Sequence, residues 1–145
     1  MNTPVPEGSQ PIYGEDITLN DVAKINAFLA KRTSRSAKAE RGSDERQVAR
    51  SLRAVQSHLV SELEHGRQFA NSPKASFDLL EGLRVQIRSA LNALWAMSSP
   101  WQSHPDYDAQ RWRHIKFWDA DDEVHRQALL AEVFDRKEAD RRLSE

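Results

Sequence analysis

The stretch DERQVARSLRAVQSHLVSELEHG, residues 44–66, decides the fold. Val48, Leu52, Val55, Leu59 and Leu63 recur in it at steps of four, three, four and four. That is the period of a helix with one apolar stripe; a strand would need alternation. Ser43 stands in front as an N-cap, and Asp44 and Glu45 suit the positive end of the helix dipole. Gly66 reads as the terminator.

Working outward, Ser72-Pro73 reads as the next start, with proline at the first helical position. Phe77, Leu80, Leu83, Ile87, Leu91 and Leu94 then form a second stripe, which must end before Ser99-Pro100. A short connection between two such helices implies an antiparallel hairpin. Upstream, Thr18 and Asp21 form a capping pair ahead of Val22, Ile25, Phe28 and Leu29. That first helix ends after Arg32 or runs on to Gly42. Downstream, Asp119 caps a fourth helix, with Asp122 at its third position and Val124, Leu129, Leu130, Val133 and Phe134 as its apolar face. No segment alternates over strand length, and no hairpin dipeptide occurs. The expectation is an all-α, three- to four-helix bundle around a central antiparallel hairpin. Residues 1–17, rich in Pro, Gly and small polar side chains, read as a flexible N-terminal arm, and 18–145 as a single helical domain. The hairpin alone leaves its stripes half covered, so helices 1 and 4, or a second copy of the chain, must complete the core.

Composition narrows the chemistry. A chain of 145 residues can bury a core without staples. It has no cysteine, which rules out disulfides, thiolate catalysis and cysteine zinc sites. No apolar run reaches 18 residues, so no membrane span is expected. The N-terminus lacks the basic and apolar regions of a secretory signal, which makes a cytoplasmic location the default.

Three clusters carry candidate chemistry. His58, Glu62 and His65 share one face of the second helix, and Glu62-x-x-His65 has the spacing of carboxylate di-iron bundles. That face flanks the apolar stripe, however, and of the inward carboxylates that a di-iron site takes from other helices the third offers only Glu81 and the first only Asp21 at its start, so the metal reading is the weakest alternative. Ser103, His104 and Asp106 supply the residue types of a hydrolytic triad, but contiguity around Pro105 suits a turn better. From Lys31 to Arg53, eight Lys/Arg stand against three acids, a local net of +5 that leaves −6 elsewhere. Lys31, Arg32, Arg35, Arg46, Arg50 and Arg53 could grip phosphates, giving nucleic-acid binding as the alternative function.

The passage PWQSHPDYDAQRWRHIKFW, residues 100–118, closes the reading. All four tryptophans fall between Trp95 and Trp118. Trp95, Trp101 and Tyr107 are expected to cap the open end of the bundle. Trp112 and Trp118, beside Arg111 and Arg113, are expected to stay exposed as a contact surface, since Trp and Arg dominate binding hot spots. Leu91, Ala93, Leu94 and Trp95, then Trp101, His104-Pro105-Asp106-Tyr107 and Trp112, resemble a segment of small actinobacterial and actinophage proteins of no established activity. The stretch INAFLAKR, residues 25–32, is similar to their opening helix. The resemblance implies no catalytic residue. The chain departs from that pattern in the further helix after Trp112. The functional expectation is a non-enzymatic, regulatory interaction protein that binds another protein or itself, with no cofactor and no small-molecule substrate.

Overall fold

The computed structural model describes residues 12–74 and 76–144. Among them there is no strand: the architecture is all-α. Helix α1 spans Leu19–Ala37, α2 Asp44–Ala70, α3 Phe77–Ser98 and α4 Ala120–Leu143. Three of the four expected caps hold. The Asp21 N–H donates to Thr18 Oγ1, and the Thr18 N–H donates back to Asp21 Oδ2. Ser43 accepts from the Arg46 N–H, and Asp119 from the Asp122 N–H. The cap of α3 is Ser76, whose hydroxyl accepts from the Leu79 N–H, not Ser72-Pro73.

Gly66 does not end α2, which continues one further turn to Ala70. It is buried instead, and a Cβ there would lie 3.0 Å from Ile87 Cγ1. The glycine lets α3 come close to α2, and that approach offsets its poor helix propensity, a cost of about 1 kcal/mol.

α2 is the middle helix, packed against α1 on one side and α3 on the other, while α1 and α3 meet only briefly. Its inward seam is also rotated from the expected stripe. Val48 and Val55 are exposed; Ala49, Gln56, Leu63 and Gly66 are the buried positions, with Leu52 and Leu59 half-buried between them. These recur every 3.5 residues, a coiled-coil period that small side chains at Ala49 and Gly66 make compact. The rotation turns polar residues toward α1, where they find partners. Gln56 Nε2 donates to the Asn26 carbonyl at 3.0 Å. Arg53 donates to Thr33 Oγ1 at 3.1 Å and to the Ala30 carbonyl at 3.0 Å.

The expected role of the fourth helix falls to the aromatic segment. The core joins Val22, Ile25, Phe28 and Leu29 of α1, Leu63 of α2, and Ile87, Ala90, Leu91, Leu94 and Trp95 of α3 to Trp112 and Ile115. Asn92 fixes the segment there: its amide donates to the Ile115 carbonyl at 2.9 Å and its oxygen accepts from the Ile115 N–H at 2.8 Å. Tyr107 and Trp112 pack on Phe28 with ring centroids 5.9 and 5.1 Å away. Trp95, expected as a cap, is buried within the core itself, and Trp101 and Tyr107 pack against that core partly buried. Trp112 does not stay outside; it is only 5% exposed, because its ring fills the space left where α1 and α3 part.

The arm expected over 1–17 divides. Residues 1–11 lie outside the described residues. Residues 12–17 are packed: Ile17 is fully buried, Ile12 lies against the core, and the Gly14 and Glu15 N–H groups donate to the Phe117 and Trp118 carbonyls. Gly14 is required here for space, since a Cβ would lie 2.6 Å from Trp118 Cε3. Gly14→Ala is therefore expected to cost about 1–3 kcal/mol, read as a lower midpoint in urea; a neutral result would show that the segment is not pinned to Trp118.

Candidate interaction surface

α4 buries no residue and packs against no other helix. Its first turn is tied to the body. Asp122 accepts from the Trp118 N–H at 2.8 Å and pairs with Arg126, and Glu123 accepts from Tyr13 Oη at 2.5 Å. Burial pushes the Asp122 carboxyl up, but the Trp118 N–H and Arg126 lower it further, so the net shift is downward. The Tyr13 hydroxyl is pushed up by its bond to Glu123. Beyond Arg126 the helix overhangs the bundle. Leu129, Leu130, Val133 and Phe134 are 48%, 55%, 46% and 66% exposed, so the expectation that α4 completes the core does not hold. Val124, read as part of the same face, lies well around the helix from Leu130 at 100° per residue. The four side chains thus form a compact patch two turns long.

At the base of α4, a groove of about 460 Å³ separates its first two turns from α3, walled by Phe77, Arg84, Val85, Trp118 and His125. Phe77, expected in the core, is 74% exposed and extends the apolar surface. Trp118 is half-buried on Gly14, and the Arg67 and Arg84 guanidinium carbons lie 5.7 and 5.8 Å from its ring centroid. Burial pushes the Arg67 guanidinium down from its ordinary range; it donates to the Ile17 carbonyl.

The other residues expected at a contact surface have structural partners. Arg111 forms a two-point ion pair with Asp21, at 2.6 Å from Nε and 2.8 Å from Nη2, and also donates to the Asp16 carbonyl. The Arg111 guanidinium holds the Asp21 carboxyl at about 2, below its ordinary 3.8. Arg111 thus clamps the aromatic segment to the start of α1. Arg113 donates from Nε to the Gln110 carbonyl. Of the two tryptophans expected there, Trp118 is the more exposed, half-buried beside the α3–α4 groove.

The basic stretch is likewise divided. Arg53 is committed to α1, Arg46 donates to the Ala39 carbonyl at 3.4 Å, and Arg32 donates to His104 Nε2 and lies over Phe28. Lys31, Arg35 and Arg50 are exposed. His58 pairs with Glu62 at 3.4 Å, and His65 meets Ser61 at 3.5 Å, on the outer face of α2. Among the described residues, no three His, Asp or Glu side chains converge as a metal site. His104 packs edge-on against Phe28, with ring centroids 5.6 Å apart.

The α4 patch was missed as a surface because its residues are core types. Its sequence signal is the break in phase at Val124 and the crowding of four bulky side chains into residues 129–134. No helix of the described chain is long and apolar enough to cross a membrane. In comparison with known proteins, the chain matches no family model, no curated protein and no solved structure.

Proposed function

We propose that this chain is a non-enzymatic interaction protein: a closed helical bundle that presents α4 as a docking helix. The observation that supports this is the separation of labour along the chain. The aromatic segment closes the core, so the four bulky side chains of α4 are not needed for folding, and they stand in water about half exposed or more. Contiguous exposed apolar patches of that kind mark binding sites. An amphipathic helix laid against a groove or another helix is a recurrent recognition mode. The Phe77–Trp118 groove lies beside the root of the helix and would extend the contact.

The test is Leu130→Glu/Phe134→Glu. Its melting curve is expected to match the wild type within about 0.5 kcal/mol, because surface substitutions away from packing are near neutral. Its ability to retain a partner in a pull-down from the native host, or to self-associate, is expected to be lost. Equal retention and self-association by the variant would overturn the proposal.

A further inference from the structure

A second groove, of about 530 Å³, lies between the end of α1 and the middle of α2. It is lined by Ala37, Lys38, Arg50, Arg53, Ala54 and Ser57, three cations and no carboxylate. Lys38 and Arg50 are exposed. Among the described residues, no ion pair joins Lys38, Arg50 or Arg53 to an acid. Arg53 is already fixed in place. Its Nε and Nη2 donate to Thr33 Oγ1 and the Ala30 carbonyl, which uses two of its five N–H donors. A guanidinium positioned in advance loses little freedom when it binds. The nearby acids lie off the groove. Glu45 accepts from Ser36 Oγ at 3.0 Å, and Ser36 lies about 160° around α1 from Lys38 at 100° per residue. Glu40 and Asp44 stand at the connecting turn and line no part of the groove.

The chemistry of the lining selects the partner. Its polar side chains are donors, and the Ser57 hydroxyl is their only acceptor. That suits a ligand made of negatively charged acceptors; a peptide would bring N–H donors of its own. No aromatic lines the groove for an unpaired base to stack on. No bulky apolar side chain stands there to enter a membrane either: Val48 and Val55, exposed on the same helix, lie about 140–160° around it from Arg50 and Arg53. The net of +5 over residues 31–53, against −6 elsewhere, turns this end of the bundle toward a polyanion. We propose that the α1–α2 groove holds the phosphate backbone of a nucleic-acid duplex through Lys38, Arg50 and Arg53. Contacts to phosphate fix position and carry no sequence information, so the grip is independent of base sequence. It uses none of the α4 residues and stands apart from the docking reading.

Fluorescence anisotropy of a short labelled DNA duplex of arbitrary sequence, titrated with the full chain, tests this. With three phosphates neutralised, affinity is expected to fall about 40-fold between about 50 and 200 mM salt. Lys38→Gln/Arg50→Gln is expected to bind more weakly at low salt and to fall only about 3–4-fold over the same range, while its thermal melt matches the wild type. Arg136→Gln/Arg141→Gln removes the same charge from exposed positions of α4 and is expected to keep the wild-type salt dependence. Absence of duplex binding at the lowest salt would overturn the proposal. So would wild-type affinity in Lys38→Gln/Arg50→Gln, or equal losses in the two double variants. Phosphatidylserine vesicles and a phosphoserine peptide serve as the other phosphate sources. If either binds in a manner that needs Lys38 and Arg50 while the duplex does not bind, the nucleic-acid assignment falls.

Discussion

Trp112→Ala is expected to destabilise the chain by about 3–5 kcal/mol, the cost of deleting a large aromatic from a packed core. The ring is 5% exposed and lies 5.1 Å, centroid to centroid, from both Phe28 and Tyr107. Its backbone is fixed as well: the carbonyl accepts from Tyr107 Oη at 3.1 Å, and the N–H donates to the Asp108 carbonyl at 2.8 Å. The segment therefore cannot simply slide inward to fill the hole. For a chain of this length the loss corresponds to a fall in Tm of about 10–20 °C, measured by thermal circular dichroism. The contrast is Phe134→Ala, where an aromatic 66% exposed is removed and the change in bundle stability is expected to stay within about 0.5 kcal/mol. Equal losses at the two positions would mean that the aromatic segment does not take the fourth helix's place in the core.

The second large effect is expected at Asp21→Asn, a loss of about 2–3 kcal/mol. Two functions end together. The side chain caps α1 through the Thr18 N–H, at a typical worth of about 1 kcal/mol. It also holds Arg111, and a carboxylate 7% exposed leaves its guanidinium partner partly desolvated when the charge is removed. A double-mutant cycle with Arg111→Met isolates the pair, with an expected coupling of about 1–2 kcal/mol. The pair also sets an acid limit. The Asp21 carboxyl is depressed to about 2 from an ordinary 3.8, so the folded state holds it deprotonated where the unfolded chain takes up a proton. Its contribution is therefore full above about pH 4 and is lost as the pH falls toward 2. The expected contribution is on the order of 1–2 kcal/mol, reduced because Arg111 is 39% exposed and screened by water. Urea titrations at pH 5 and pH 2.5 should show the wild type losing more stability than Asp21→Asn over that interval; parallel losses would show that the pair does not couple to protonation.

Particular positions show how much of this was legible in the chain. Thr18, Ser43 and Asp119 could be read as caps because capping is local: a short polar side chain reaches an N–H three residues on, and nothing distant is needed. Val48 could not be read correctly. Val48 and Ala49 both fit an apolar stripe, and only the neighbouring helix decides which is inside. Gln56 and Arg53 could face α1 because the carbonyls of Asn26 and Ala30 were there to accept from them. Trp112 and Phe134 were exchanged for a similar reason. Each is a bulky aromatic near Arg and Asp, and nothing in its local spacing states whether a cavity is waiting for it.

The amino-acid order alone determined that the chain is helical, where three of the four helices begin, that α2 and α3 fold back on one another, and that α3 stops before Pro100. These follow from interactions spanning a few residues or one short connection. Tertiary structure alone decided which face of α2 is the seam, that the passage from Trp101 to Ile115 and not α4 closes the bundle, and that Arg111 is a clamp. The physical reason is common to all three: burial is a property of shape complementarity between segments far apart in the chain, such as Asp21 with Arg111, and a periodic pattern specifies only that a surface wants covering.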